Sequence, residues 1–330
     1  MPQKMESNYG HLLIKELAEL WLVDIKNVLK PSSYAIYQSY TSKYILPYIG
    51  DEKSDAFGRK DLSAMLGDLQ AGQGQEAPLS QHTVYIVESM VRAMFHYGTG
   101  NHLVPEISFG KAEYKIKNKK DAMPLSELET RQLVQMAEQQ GTDMQVQAML
   151  PLYTGVNLSE LCGLKWEDID FNTGKIHIHR NLMRIQQKAP ENSTKKTSTV
   201  LKEFELPENE CREFVMPEKL KNFLEMIADK KKPAKERYVA GLDKKMETED
   251  IKKGQPDGRT LQARLKVLGE KAWIPELTFK RLRDTFAVMC LQAGGDVYSL
   301  AYVLGVGTEA VCGRYGQWLV KHDGFLKGIG

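Results

Sequence analysis

The sequence predicts two domains: an N-terminal all-α bundle, and a larger α+β domain that is rich in helices and holds a small antiparallel sheet. Three observations favour this fold class. The 330 residues are enough for two ordinary domains. The first third of the chain spaces its apolar residues as helices do and contains no strand pattern. Strand-like alternation begins only beyond residue 170, where it lies between further helical segments.

The composition is typical of a globular protein from a reducing, cytoplasmic compartment. Hydrophobic residues make up 42% of the chain and charged residues 27%. A net charge of +2 means that any nucleic-acid surface must be local. No apolar run is long enough to span a bilayer, so we expect no membrane partner. The four cysteines lack the C-x-x-C spacing of a zinc site, and they are Cys162, Cys211, Cys290 and Cys312.

The N-terminal domain, residues 1–105, is predicted to contain four helices. Residues 11–29 place apolar side chains along one helical stripe. A serine after Pro31 is available to cap the second helix, Asp61 can cap the third, and Ser80 opens the fourth. Without a strand candidate, these helices form a small bundle.

Residues 106–123 are predicted to be a basic linker between the domains. The segment has little periodicity, and lysines crowd it. These lysines are Lys111, Lys115, Lys117, Lys119 and Lys120. They suit a solvated connection and a contact with DNA phosphates equally well, so both interpretations stay open.

The second domain, residues 124–330, begins with a capping-box pattern, in which Ser126 is followed three residues later by Glu129. An apolar helix then ends at Gly155, and Gly174 turns the chain into an alternating strand. A hairpin is predicted around residues 190–196. Further helices are expected at about 217–229, 259–272, 278–293, 296–304 and 308–318.

The stretch from Leu277 to Trp318 contains the most informative motif. It resembles the C-terminal signature of the tyrosine recombinases, or phage-integrase family. That signature runs T-x-H-x-L-R-H-T-F-A, then G-x-D, then L-G-H, with a tyrosine nine residues after the last histidine. Lys280 stands where the first histidine belongs, and Val306 stands where the last one belongs. The matching residues are Thr278, Leu282, Arg283, Thr285, Phe286, Ala287, Gly295, Leu304, Gly305 and Tyr315.

Two other segments carry the same resemblance. Residues 154–170 are similar to the family pattern T-G-x-R-x-x-E-L-x-x-L-x-W-x-D-I-D, except that Asn157 replaces the arginine. The predicted hairpin resembles K-T-x-x-S-x-R-x-V-x-L-P, which aligns Lys196 with the general-acid lysine and leaves Lys195 as the alternative. The N-terminal helices also look like the family's core-binding (SAM-like) domain, so the resemblance covers most of the chain.

The resemblance implies a DNA-cleaving site of four groups. A tyrosine attacks phosphorus, arginines grip the phosphate oxygens, and a lysine protonates the leaving oxygen. Tyr315 would be the nucleophile and Arg283 a phosphate clamp, while Lys196 would be the acid and Lys280 a phosphate contact. Tyr315 could instead be a core residue, and Arg283 could be a surface residue paired with Asp284.

Asn157 and Val306 predict that cleavage is absent or very slow. Asparagine carries no charge, and losing one preorganised donor at an oxyanion site costs about 2.7–4 kcal/mol. Valine cannot donate, accept or titrate. We therefore expect an N-terminal core-binding bundle joined to a tyrosine-recombinase catalytic domain with a degenerate active site.

The expected partner is double-stranded DNA, held in a clamp by both domains, with the linker lysines and Lys195 on the phosphates. We expect no cofactor and no metal; His177 and His179 fit a strand surface better than a metal site. An oligomer on DNA or a competent recombinase would complete the assembly in a cytoplasmic, nucleoid-associated setting. An active recombinase of a mobile element and a protein-interaction scaffold that has lost DNA binding remain the alternatives.

Overall fold

The computed structural model describes residues 12–29, 31–74, 77–112, 114, 122–188, 197–241 and 254–319. The chain divides into two compact units, Met1–Lys119 and Lys120–Gly330. Each unit has its own hydrophobic core. The helical unit followed by a helix-rich unit with small antiparallel sheets confirms the predicted fold class.

The first unit is helical throughout its described part. Its helices are α1 (Ile14–Ile25), α2 (Pro31–Tyr40), a π-helical turn (Thr41–Ile45), α3 (Leu46–Ile49), α4 (Arg59–Ala71) and α5 (Gln81–Gly100). Ser80 caps α5 as predicted, because its Oγ accepts the N–H of Thr83 at 3.2 Å. The predicted cap at Asp61 is wrong by one turn: Gly58 is the N-cap of α4, and Asp61 accepts its N–H at 2.8 Å.

The first part of the predicted linker is fastened to this unit. Phe109 is buried, and its ring meets the ring of Phe95 edge-on at a centroid distance of 5.2 Å. Arg92 donates to the carbonyls of Phe109 and Gly110 at 3.4 and 3.0 Å, and it pairs with the buried Glu88 at 2.7 Å. An aromatic contact and a paired arginine thus hold the first residues of the predicted linker against the first unit.

The second unit contains the other helices and all strands of the described chain. Its helices are α6 (Glu127–Gln139), α7 (Thr142–Thr154), α8 (Leu158–Gly163), α9 (Glu218–Lys231), α10 (Gly258–Lys271), α11 (Phe279–Gln292), α12 (Val297–Leu304) and α13 (Thr308–Tyr315). Its strands are β1 (Ile169–Asp170), β2 (Lys175–Ile178), β3 (Arg180–Lys188), β4 (Thr197–Glu205) and β5 (Arg212–Val215). The capping box at Ser126 is confirmed, since Ser126 and Glu129 exchange hydrogen bonds of 2.7 and 3.2 Å.

Both sheets are antiparallel. β1, β2 and β5 form a three-stranded sheet in that order, with Ile176 opposite Phe214. β3 and β4 form a separate hairpin, in which Arg180 lies opposite Glu205. The tip of this hairpin, residues 189–196, lies outside the described residues.

Helix α7 lies in the core of the second unit, because nine of its thirteen residues are buried. It ends at Gly155, where φ is +67°, a left-handed conformation that favours glycine. A Cβ here would lie 2.4 Å from the ring of Phe286 on α11. This close approach brings the end of α7 against the first turns of α11, where the candidate site lies. No helix in the described part of the chain combines the length and apolar character needed to cross a bilayer.

Candidate active site

Arg283 lies on the second turn of α11, and its guanidinium contacts two backbone carbonyl oxygens. Thr278 fixes the start of that helix by accepting the N–H of Arg281 at 3.1 Å. The Arg283 guanidinium donates to the carbonyls of Gly155 and Leu304, each at 2.6 Å. Burial lowers its pKa from the ordinary value. The alternative of a surface arginine paired with Asp284 does not match these contacts.

Asn157 caps helix α8. Its Oδ1 accepts the N–H groups of Ser159 and Glu160 at 2.9 and 3.0 Å, and Glu160 accepts the N–H of Asn157 at 2.9 Å. This is a complete capping box, which satisfies backbone donors that α8 would otherwise leave open. The side chain at the position of the motif's arginine is therefore neutral, and its oxygen is already bonded to backbone N–H groups of α8.

A buried ion pair supports the floor of the site. Arg212 on β5 donates to both carboxylate oxygens of Glu160 at 3.0 and 2.8 Å, and to the carbonyl of Val303 at 2.7 Å. The side chains of this pair are 3% and 6% exposed, so their charges are mutually neutralised away from water. Gly305, at φ +63°, leaves room for this guanidinium, because a Cβ there would lie 2.9 Å from Arg212 Nη1. This pair joins α8, β5 and the end of α12.

Tyr315 ends α13 with its hydroxyl inside the protein. The O–H donates to Oδ1 of Asp284 at 2.8 Å. Arg314 donates to the same carboxylate, with Nε at 2.8 Å from Oδ1 and Nη2 at 2.5 Å from Oδ2. Burial, and next the hydrogen bond to Asp284, raise the pKa of Tyr315 to about 12. The predicted nucleophile is thus a buried donor to a carboxylate.

Lys280 and Val306 lie at the surface. Lys280 is exposed on the first turn of α11, where it lines an open cleft of about 660 Å³ together with Arg281, Asp284 and Arg314. Val306 is 39% exposed and follows α12. The cleft therefore gathers three cations around the carboxylate that holds the tyrosine.

The predicted general acid cannot be placed. Lys196 and its alternative Lys195 lie outside the described residues. Of the linker lysines, Lys111 is described and exposed. Four others lie outside the described residues, and they are Lys115, Lys117, Lys119 and Lys120.

The two strand histidines form a polar cluster away from these residues. The ring of His177 stacks on that of His179 at a centroid distance of 4.6 Å. His179 contacts carboxylates through both ring nitrogens, Asp168 and Glu205 each lying at 2.9 Å. Within the described part of the chain, no group of His, Cys, Asp or Glu is arranged to hold a metal ion.

Four residues of the site were missed by sequence reasoning. Asp284 had a signal, because it stands at the second histidine of the T-x-H-x-L-R-H-T-F-A pattern. Arg314, next to the predicted nucleophile, had none. Glu160 belongs to the matched motif, but its partner Arg212 lies 52 residues away and in no motif.

Chemically, the arrangement offers one hydroxyl and several cations. Arg212 and Arg314 are paired with carboxylates, whereas the hydrogen bonds of Arg283 described above go to neutral oxygens. A planar guanidinium in that setting keeps its charge available for an anion such as phosphate.

Comparison with known proteins covers both units. Residues 124–317 match the Phage integrase family, and residues 13–53 match the Phage integrase N-terminal SAM-like domain. The chain is 21% identical over 321 residues to a protein of Caldanaerobacter subterraneus subsp. tengcongensis named tyrosine recombinase XerC-like, a match that covers 90% of this chain and 77% of that protein. It is 28% identical over 191 residues to IntQ of Escherichia coli (strain K12), which is named as a defective protein. That match covers 54% of this chain, which spans only 46% of the length of IntQ.

Solved structures share the fold at low sequence identity. The Tn1549 transposon integrase, in complex with a circular intermediate DNA, superposes with a TM-score of 0.70 at 16% identity over 96% of this chain and 98% of that one. A lambda integrase dimer bound to a COC′ core site gives a TM-score of 0.60 at 14% identity, covering 94% and 97% of the two chains.

Proposed function

Because the chain belongs to the phage integrase (tyrosine recombinase) family, we propose that it binds double-stranded DNA while its own strand-cleaving site is impaired. Its role is accessory or regulatory at a recombination site. Tyr315 is the position of the nucleophile, Arg283 and Lys280 are phosphate contacts, and Lys196 is the general acid. Asn157 and Val306 are the degenerate positions.

The observation that carries the proposal is the occupation of Asn157. A neutral side chain stands at the motif's arginine, and its oxygen is used to cap α8. Arg212 does not offer a replacement charge, because both Nη atoms bond Glu160 and its Nε bonds the carbonyl of Val303. Arg283 is then left without the second guanidinium that the motif supplies.

DNA binding is supported by the relatives and by the cations at the surface. The Tn1549 and lambda integrases were both solved with DNA. In this chain, we assign DNA contact to the core-binding domain at 1–105, the basic linker at 106–123 and the catalytic domain at 124–330. The phosphate contacts are Lys111, Lys115, Lys117, Lys119, Lys120 and Lys195.

Assembly on DNA is part of the same proposal. One lambda integrase relative is a dimer on its site, and another is a tetramer bound to a Holliday junction. We infer that this chain likewise pairs on DNA, with a second copy or with a competent recombinase. The apolar residues after Tyr315 would provide the contact; of these, Phe325 and Leu326 lie outside the described residues.

An active recombinase is the second candidate. It is favoured by Arg283, whose guanidinium bonds to neutral carbonyls, and by Lys280 beside the cleft. This candidate requires another group to replace the charge absent at Asn157. A scaffold that has lost DNA binding is a third possibility, and a binding assay separates it from the other two.

A gel shift with mixed duplex DNA at 50 and 200 mM salt tests binding. The six lysine contacts named above would weaken the affinity roughly 10³-fold between these concentrations, because each contact releases counterions. Lys280→Gln should weaken binding, and it should reduce the slope of log affinity against log salt by about 1. Lys266→Gln is the matched control, since Lys266 is an exposed lysine of α10 that does not line the cleft. Absence of binding, or an affinity indifferent to salt, contradicts the proposal.

A nicked suicide substrate tests cleavage. In such a duplex the cleaved strand end diffuses away, so a phosphotyrosyl adduct accumulates whenever the tyrosine attacks. We expect the unmodified protein to form little or no adduct over hours. Fast adduct formation that Tyr315→Phe abolishes would establish the active recombinase instead.

A further inference from the structure

The contacts of Tyr315 include a restraint that the family motif does not explain. Asp284 is 3% exposed and lies on α11, one turn from the cleft residue Lys280. Its carboxylate accepts the Tyr315 hydroxyl at 2.8 Å and two N–H groups of Arg314 at 2.8 and 2.5 Å. Three side chains from α11 and α13 thus form one closed hydrogen-bonded unit.

This unit opposes both requirements of a nucleophile. To attack phosphorus, the phenol oxygen must lose its proton and approach an anion. Burial favours the protonated form of the hydroxyl, and donation to the carboxylate of Asp284 favours it further. A phosphate that approached the oxygen of Tyr315 would also meet the negative charge of Asp284, 2.8 Å away. Arg314 offsets that charge only while it stays paired with the same carboxylate.

We propose that Asp284 is a latch on Tyr315, which holds the hydroxyl bonded inside the protein and away from a phosphate in the cleft. Asp284 is a positioning residue, which acts on phosphate only through Tyr315 and Arg314. This inference rests on the proposed function, because a latch on the tyrosine matters only where a DNA phosphate reaches it. It makes the impairment twofold, since it acts in addition to the charge missing at Asn157.

The cleft beside the latch offers cations to an incoming phosphate. Lys280 is exposed at the cleft, so an incoming phosphate meets this ammonium group first. Arg281 also lines the cleft, but it is paired with Glu129 of α6 at 2.8 Å. Arg314 is likewise paired, with Asp284 at 2.5 Å, so Lys280 is the first cation of the cleft to contact a phosphate.

Tyrosine 13Cζ NMR on the free protein tests the latch without DNA. The Tyr315 signal is assigned by its loss in Tyr315→Phe, and its titration is followed to about pH 12.5, with variants compared by the deprotonated fraction at each pH. In the unmodified protein, we expect a midpoint well above those of exposed tyrosines. Asp284→Asn should lower the midpoint by one pH unit or more, and Arg314→Gln should raise it, because the two neighbours act with opposite sign. A general loss of packing would move both variants in the same direction.

Several outcomes would overturn the latch. An ordinary Tyr315 midpoint in the unmodified protein does so, whatever the variants show. An unchanged midpoint in Asp284→Asn, or in Asp284→Ser if the asparagine variant fails to fold, does so as well.

A second measurement places the latch in the reaction. In an Asn157→Arg, Val306→His background, adding Asp284→Asn should increase the rate of covalent adduct formation on a nicked duplex at least tenfold. Adding Asp284→Glu, which keeps the carboxylate, should give no such gain. Equal rates in both contradict the latch. If no variant binds DNA, the proposed function fails, while the NMR titration still decides the latch.

Discussion

Replacing Asn157 with arginine should have two opposite effects: it removes the cap of α8, and it adds a positive charge to the candidate active site. The asparagine Oδ1 accepts the N–H groups of Ser159 and Glu160 at 2.9 and 3.0 Å, and arginine has no acceptor to replace it. Losing an N-cap acceptor costs about 1 kcal/mol, and up to about 2. The other half of the capping box survives, because Glu160 accepts from the backbone N–H of residue 157. We therefore expect Asn157→Arg to destabilise the second unit by about 1 kcal/mol.

The added charge should increase the rate of strand cleavage by stabilising the transition state. A missing oxyanion donor costs about 2.7–4 kcal/mol, or roughly a hundred- to thousandfold in rate. Groups of one site are not additive, so a single restored group gives less than its full value. We expect the double variant Asn157→Arg, Val306→His to form covalent adducts on a nicked duplex on the order of 10²-fold faster than the unmodified protein. Adding Tyr315→Phe should abolish them.

Two matched variants separate charge from capping. Asn157→Ala loses the cap without gaining charge, so it should lower the melting temperature as Asn157→Arg does, by about 2–4 °C for a unit of this size. Asn157→Asp keeps the cap and adds the wrong charge, so its melting temperature should be unchanged and its adducts absent. Adduct rate and melting temperature are measured on the same samples.

Three results would refute the role assigned to Asn157. Fast adduct formation by the unmodified protein refutes the impaired site. A gain in Asn157→Ala as large as in the arginine variant would show that loosening α8, and not charge, limits the reaction. No gain in the double variant would refute the assignment of positions 157 and 306 while leaving DNA binding intact.

Three further predictions concern stability. The pKa of Tyr315 is about 12 in the folded state against about 10 when unfolded, so its stabilisation is complete below pH 10 and is lost as pH rises through 12. Over that range, urea unfolding should show a fall in stability that is about 3 kcal/mol smaller in Tyr315→Phe than in the unmodified protein. Glu160→Gln leaves the charge of Arg212 buried without its anion and should cost about 3–5 kcal/mol in chemical unfolding, part of which Arg212→Met restores; a loss below 1 kcal/mol contradicts this. Gly155→Ala meets Phe286 at 2.4 Å in a left-handed conformation, so its melting temperature should fall by several degrees, and an unchanged value would refute the packing argument.

The parts of the fold that depend on neighbouring residues could be predicted from the sequence. Ser80 and Ser126 cap their helices because a capping bond joins residues three apart. The helical and strand patterns likewise repeat within a few residues. The anchoring of Phe109 could not be predicted, because it depends on Phe57 and Phe95, which adjacent sequence does not reveal.

The same difference between local and distant contacts applies to the candidate site. The resemblance to the family motif predicted Arg283 and Tyr315 as site residues, but not their contacts. Arg283 bonds Gly155 and Leu304, which are 128 and 21 residues away. The one sign in the sequence of a carboxylate beside the tyrosine is that Asp284 replaces the histidine of the pattern R-H-T-F-A. Nothing local indicates that a carboxylate on α11 would meet a hydroxyl 31 residues later.

Arg212 has a consequence for how the second unit folds and opens. Its bonds to Glu160 and to the Val303 carbonyl close loops of 52 and 91 residues. Contacts between residues so far apart in the sequence form only after distant segments have come together, and closing these long loops costs entropy. Such contacts therefore slow folding. Once formed, they oppose local fraying, because detaching the start of α8 would leave a buried charge unpaired and detaching the end of α12 would leave a buried N–H without its acceptor. The amides of these two segments should therefore exchange with solvent as one cooperative unit.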